Sequence, residues 1–489
     1  MDTFFEQSLL LIYSSVILFL LHYIHKSISR PKTPTETTNS GTPKSYPLIG
    51  SLLDFIKNRS RFIDWTTEIL LATPTNTILL RRPGMDPMVI TANPSNVKHI
   101  LMTNFDRYPK GELFTSHLRA VFGQVMFILN GEPWKDQRRI AVHEFSSTTF
   151  CNCAVNIIAQ ETHTMLIPIL ERASRMNHVL DLQEIFERFM FNILSRLMFS
   201  EDPGALKASP LVPLHMEGEE VLNIGSERRF KDSISIIHKN LERIMQTRLI
   251  ETRGVSKDDI ISRFIDHGDA TVDYLRDIGI GFLLAGTDTT VSSLTWFFWI
   301  LSSNPRVEKQ IVEEVEAVRA KHSKNPGETF NFKEIREMHY LHAAITESMR
   351  LYPPVPFNVK TCSSDDVLPD GTLVKKGWNV LYNAFAMGTM EKIWGNDCLE
   401  YKPERWLEDG IFQQQSPFRY PIFNAGPRMC AGKDLAYIQI KLIVASMIER
   451  FVIEVQDDHM QPEKILSLTL LMKGGLPVKV RERCSEFKN

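Results

Sequence analysis

Six cysteines are scattered through the 489 residues, and no two of them have the spacing of a metal knuckle. Cys151-Asn-Cys153 is too close for a C-x-x-C site, and Cys362, Cys398 and Cys484 stand alone. Disulfide scaffolds and zinc modules are thereby excluded, and scattered cysteines in an intracellular chain need no bridges. Net charge is also nearly missing: 56 Lys and Arg against 58 Asp and Glu leave −2. That balance argues against nucleic acid as a partner, which wants a basic bias. There is no internal repeat and no long low-complexity tract, and strand-like stretches are few. Beyond the N-terminus no run reads as membrane-spanning, since 282–301 is interrupted by Gly286, Asp288 and a series of threonines.

What is present starts with an apolar N-terminus. Residues 8–24 carry no Asp, Glu, Lys or Arg, slightly short of the roughly 20 residues of a spanning helix. Asp2 and Glu6 precede the run, and Lys26, Arg30 and Lys32 follow it, which places the bulk of the chain on the cytosolic side. A cleaved signal peptide is the rival, but it wants a basic start and a small-residue cleavage site. Residues 1–30 therefore read as a retained transmembrane anchor and 31–47 as a linker rich in Pro, Thr and Ser. Length alone suggests roughly three domains. The motifs below are spread along the chain and need one another, so 48–489 is expected to be one domain large enough to bury a cofactor.

Helical periodicity covers most of that stretch, with clear cases at 184–199, 308–320 and 434–451. Thr77–Leu80 and Met88–Thr91 flank Arg81-Arg-Pro-Gly84 and predict a hairpin; 374–380 and 476–480 are further strand candidates. The expected fold class is mainly α with small β-sheets.

Four patterns carry chemistry. Phe423-Asn-Ala-Gly426-Pro-Arg428-Met-Cys430-Ala-Gly432 sets one cysteine between glycines at the start of a helix, where unpaired N–H groups and the helix dipole favour a thiolate. A lone cysteine is by default a small buried hydrophobe. Phe282-Leu-Leu-Ala-Gly286-Thr-Asp288-Thr289-Thr places an acid beside a hydroxyl in an apolar helix, a pair that can relay protons into a dry pocket. Gly286 lowers helix propensity there, and the Thr289 hydroxyl has a carbonyl four residues back within reach, so a helix able to open locally is expected. The plain alternative is a helix bent for packing. Glu347-Ser-Met-Arg350 puts a carboxylate and a guanidinium on one helix face, ordinarily a solvated pair. Trp134-Lys-Asp-Gln-Arg138 aligns an indole N–H and a guanidinium at i, i+4, where both can donate to one carboxylate.

Five positions of the Cys430 segment match F-x-x-G-x-R-x-C-x-G, and the chain resembles the cytochrome P-450 family. The resemblance covers essentially everything after the anchor. It implies a single heme domain with Cys430 as the iron ligand, heme b as cofactor, and Trp134, Arg138, Arg428 and Lys360 as groups that receive the heme propionates. Gly286 then gives room for O2, Thr289 steadies the activated oxygen, and Asp288 feeds protons. Pro403-Glu-Arg405-Trp406 resembles the family's second arginine segment, so Glu347, Arg350 and Arg405 are expected to form a buried structural network. Implied partners are NADPH through a separate flavoprotein reductase and the endoplasmic reticulum membrane; Lys135, Arg139 and Lys433 offer a basic face for an acidic reductase, with an ordinary solvated helix face as the more frequent explanation.

At a finer level Asp181-Leu-Gln, Phe186-Glu-Arg-Phe189, the 222–229 and 294–299 segments and Gly474-Gly-Leu-Pro-Val-Lys-Val480 look like plant members that hydroxylate fatty acids at the ω end. A neighbouring branch oxidises jasmonoyl–amino-acid conjugates, and the Gly-Gly-Leu-Pro ending points towards it. The expected substrate is a fatty acid or fatty-acid-derived chain, with pocket walls at 114–127, Leu283, 355–359 and 467–472. The segment 201–222 is shorter than in such relatives, and Phe357-Asn-Val359 replaces an Asp-Ser pair. Rival functions are a reductase-independent isomerase or dehydratase, which would lack the Asp288–Thr289 pair, and a noncatalytic heme-binding protein.

Overall fold

The helix Val272–Ser302 is 31 residues long and organises the rest of the protein. Thr271 caps it, its side chain accepting from the Tyr274 N–H. Apolar residues occupy nearly every face, so the helix is buried rather than amphipathic. The computed structural model describes residues 46, 49–200, 224–251, 259–266, 270–456 and 461–483. The expected anchor, nearly all of the expected linker, the segment 201–222 and Cys484 lie outside them. Among the described residues no helix is long and apolar enough to cross a membrane.

Leu182–Phe199 packs antiparallel along this central helix. Gly279 meets the Phe199 ring, Gly286 meets Leu194, and Phe298 stacks on Phe186. Asp181 starts that neighbour as its N-cap, accepting from the N–H groups of Gln183 and Glu184. A second buried helix, Lys433–Ile448, follows the Cys430 segment and contributes Ile440 and the fully buried Leu442–Ala445 stretch to the same core.

Strands are peripheral and short. Thr77–Leu80, Met88–Thr91, Asn379–Asn383 and Phe357–Thr361 form one sheet in that order. The first two make the expected hairpin, paired from Thr77↔Thr91 to Leu80↔Met88. Met88–Thr91 then runs parallel to Asn379–Asn383, which is antiparallel to Phe357–Thr361. The fold is thus mainly helical with small sheets, as the pattern predicted. Two boundaries differ. The helix expected over 434–451 stops at Ile448, because Phe451–Val455 is β-branched enough to pair with Pro477–Glu482. The strand expected over 374–380 divides into Leu373–Val374 and Asn379–Asn383 around a turn at Gly377.

Candidate active site

One face of the central helix walls a cavity of about 340 Å³. Phe282, Ala285, Gly286, Thr289, Thr290 and Ser293 line it at alternating spacings of three and one, the stripe a helix presents to one side. Thr289 Oγ1 donates to Ala285 O at 2.7 Å, the back-bond its position predicted. The backbone stays helical throughout. A Cβ added at Gly286 would fall 2.8 Å from Leu194 Cδ1, so its small size serves the packing of two helices. Asp288, one residue and about 100° round from Thr289, lies off the wall. Burial pushes its carboxyl up to about 6.

Another wall is the segment Cys430, Ala431 and Gly432. The backbone turns sharply before it: Gly426 has φ +64°, and a Cβ there would stand 2.1 Å from Leu101 O, so only glycine fits. Cys430 N–H then donates to Phe423 O at 2.8 Å. Cys430 has exposed surface, yet protein surrounds it on all sides. Both hold because that surface faces the cavity and not bulk solvent. Burial pushes its thiol up, outweighing the Gly432 N–H and Arg138, which favour the thiolate. The Gly432 N–H at the helix start thus acts in the direction the sequence suggested, against the larger effect of burial. A Cβ at Gly432 meets no protein atom within 4 Å, so protein packing does not require that glycine.

The cavity has one strongly cationic edge. Trp134, Arg138 and Arg428 line it, and the Arg428 guanidinium lies 4.3 Å from the Trp134 ring centre. Burial, then Arg138, hold Arg428 down at about 10, and burial lowers Arg138 itself. Lys360 is fully buried behind this edge, its Nζ without a hydrogen-bond partner and its pKa far below normal through burial, then Lys110 and Arg428. Arg428 Nε is likewise unpartnered. Crowded cations with no carboxylate paired to them among the described residues, beside an inward-facing sulfur, fit a planar anionic cofactor with two propionates and an iron.

The family model described as cytochrome P450 matches residues 41–215 and 208–480. The chain belongs to the cytochrome P450 family. Cytochrome P450 CYP94D108 of Paris polyphylla is 41% identical over 93% of this chain and 94% of its own length. Cytochrome P450 94A2 of Vicia sativa is 38% identical over 97% of this chain and 98% of its own. Cytochrome P450 94B3 of Arabidopsis thaliana is 37% identical over 98% of each. All three are plant P450s. Family membership makes the chain a monooxygenase, an oxidoreductase whose cofactor is heme with a thiolate ligand, and Cys430 is the cysteine this P450 turns towards its cavity.

The P450's structural network is as the sequence predicted. Arg350 forks onto Glu347, Nε to Oε2 at 2.7 Å and Nη2 to Oε1 at 2.8 Å, both residues fully buried. Arg405 Nε reaches Glu347 Oε1 at 3.2 Å, and Trp406 Nε1 reaches Oε2 at 2.8 Å.

Several expectations need correction. Of the predicted walls, Phe114, Met126, Phe127, Val355 and Asn358 line the cavity, whereas Leu283 and 467–472 do not. Leu470 instead uses its carbonyl to accept from Ser292 Oγ at 2.6 Å and Trp296 Nε1 at 2.9 Å, which ties its hairpin to the central helix. The Gly-Gly-Leu-Pro ending is structural as well. A Cβ at Gly475 would stand 2.0 Å from Asp181 Oδ2, and Leu476 N–H donates to Asp181 Oδ1 at 2.9 Å. Lys135 and Arg139 are each matched by an acid one turn away, Glu132 and Asp136. Sequence reasoning missed Phe145, Met198 and Tyr382 on the wall, and also Lys110. It quoted Glu187 only in a resemblance, yet burial, then the charge of Asp288, push that carboxyl up to about 7.

Proposed function

We propose that this P450 hydroxylates a fatty acid or fatty-acid-derived chain at or near its terminal carbon. The observation that carries the reading is the apolar lining beside Cys430. Phe127 and Phe145 pack edge-on against Phe282 at 5.9 and 5.4 Å, while Leu194, Met198 and Val355 complete a surface suited to methylenes. In this reading residues 1–30 anchor the chain in the endoplasmic reticulum membrane, 31–47 link, and 48–489 form the cytosolic catalytic unit. NADPH supplies electrons through a separate flavoprotein reductase.

Cys430 would hold the heme iron, and Trp134, Arg138 and Arg428, with Lys360 buried behind them, would hold its propionates. Heme so bound supplies activation of O2 and insertion of one oxygen atom into a C–H bond. The apolar walls exclude water and align the chain. Thr289 spends its single hydroxyl proton on Ala285 O, which leaves its oxygen lone pairs to accept a hydrogen bond on the cavity side. Asp288, raised to about 6, retains a share of protons near neutral pH and can pass them inward. The jasmonoyl-conjugate reading draws on the Gly474–Gly475 ending, of which Gly475 serves Asp181 and neither glycine lines the cavity.

The test is reconstitution with reductase and mass spectrometry of products from a panel of fatty acids and jasmonoyl conjugates. Terminal or near-terminal alcohols of the fatty acids are expected; oxidation confined to the conjugates would overturn the reading. Thr289→Ala is expected to uncouple NADPH consumption from product and release peroxide. Unaltered coupling would remove Thr289 from proton delivery.

A further inference from the structure

Residues 107–111 lie along the strand Phe357–Thr361. Thr361 N–H donates to Pro109 O at 3.1 Å and Ser363 N–H to Arg107 O at 2.8 Å. Gly111 permits the approach, since a Cβ there would stand 1.7 Å from Thr361 Oγ1. On the other side Asn130 clamps Lys110, accepting from its N–H at 3.0 Å and donating to its carbonyl at 2.8 Å. Arg428 Nη2 donates to the same Asn130 oxygen at 2.9 Å. Backbone pairing thus delivers the Lys110 side chain to the cavity wall, among Lys360 and Arg428 and over the Phe114 ring at 4.2 Å.

This makes one cation too many for the cofactor. Heme carries two propionates, for which the proposed function takes the Trp134 indole N–H, Arg138 and Arg428 on the wall, with Lys360 buried behind them. Lys110 is a fourth cation, and among the described residues no carboxylate forms an ion pair with it. Like charges enclosed together are costly unless anions join them. The cost is visible at Lys110, held down at about 7 by burial and then by Arg428. Its position at the junction of the charged edge and the aromatic wall is where the head of an amphiphilic chain belongs.

We propose that Lys110 docks the carboxylate of the substrate, so that the site selects chain acids over neutral chains of equal length. The inference rests on the proposed function. It is tested on the full-length holoprotein with dodecanoic acid and methyl dodecanoate as probes, reading affinity from the substrate-induced shift of the heme spectrum and heme content per chain in parallel. Wild type is expected to bind the acid on the order of tenfold more tightly than the ester, the scale of one charge-assisted hydrogen bond. Lys110→Met should bring the two within about twofold while heme content stays at the wild-type level, and Lys110→Arg should restore the preference. Loss of heme from Lys110→Met would assign the lysine to a propionate and overturn the proposal. An unchanged acid-to-ester ratio with full heme content would overturn it too, leaving the chain-hydroxylase reading intact. If neither probe shifts the wild-type spectrum, both readings fall together.

Discussion

Two clusters of charge are enclosed in this protein, and they are built on opposite principles. Around Glu347 each charge is matched. Both carboxylate oxygens accept from Arg350, Arg405 adds a third contact, Trp406 a fourth, and the rest of Arg350 is taken up by the Gly388 and Cys398 carbonyls. Around the cavity edge, Lys110, Arg138, Lys360 and Arg428 crowd one another, and among the described residues no carboxylate pairs with them. Buried polar groups in folded proteins are ordinarily satisfied, so the second cluster points to a partner the polypeptide does not itself contribute. A matched cluster holds the fold; an unmatched one is kept for a ligand.

The largest effect is expected on the matched side. Glu347→Ala leaves Arg350 buried with carbonyls alone, a loss of about 3–5 kcal/mol for a broken buried pair. Urea unfolding of the apoprotein and the holoprotein should show it equally, because the network faces no cofactor. A midpoint unchanged from wild type would mean that Glu347 is not structural, and the contrast would collapse.

On the unmatched side the sign should invert. Lys360→Met replaces a buried, unpartnered amine with an apolar chain of similar length. The apoprotein should gain about 1–3 kcal/mol, the penalty of an unsatisfied buried group. The same variant should bind heme more weakly when the apoprotein is titrated with hemin. A variant less stable as apoprotein, or one with wild-type heme affinity, would show that Lys360 already has its partner.

These two clusters also mark what could be read from sequence. The Arg350–Glu347 fork was legible because i, i+3 on one helix brings the groups together whatever the tertiary context. Thr289 and Ala285 were legible for the same reason, four residues apart on one helix. Cys430, Arg428 and Gly426 share one tight turn. Lys110 gave no such signal, because its neighbour Lys360 is 250 positions away and it is the tertiary pairing of 107–109 with 361–363 that joins them. The bracket Pro109-Lys110-Gly111 was the available hint, a lysine held between a rigid and a permissive residue. The wall assignment at 467–472 failed differently: side-chain character predicted a lining, whereas Leu470 acts through its carbonyl. The Gly-Gly-Leu-Pro ending shows the same division of labour, since Gly475 and Leu476 act through packing and backbone against Asp181.

The smallest effect expected is a slope with pH, and it separates the clusters without any mutation. The Lys110 amine is lowered from 10.5 to about 7, by burial first and by Arg428 second. Lys360 and Arg428, which face it from the strand and the Cys430 segment, are shifted the same way. In the unfolded chain Lys110 keeps its proton up to about 10.5, whereas the folded apoprotein releases it near 7. Between those values the unfolded state binds more protons, so apoprotein stability should rise with pH across that window. Heme brings anions to the edge, favours the charged amines and raises their pKa values again, so the holoprotein should show a flatter curve. Urea midpoints at about pH 6, 7.5 and 9 give the comparison, and Lys110→Met should flatten the apoprotein curve towards the holoprotein one. Parallel curves for apoprotein and holoprotein would mean that the propionates do not neutralise this edge, and that its four cations are matched in some other way.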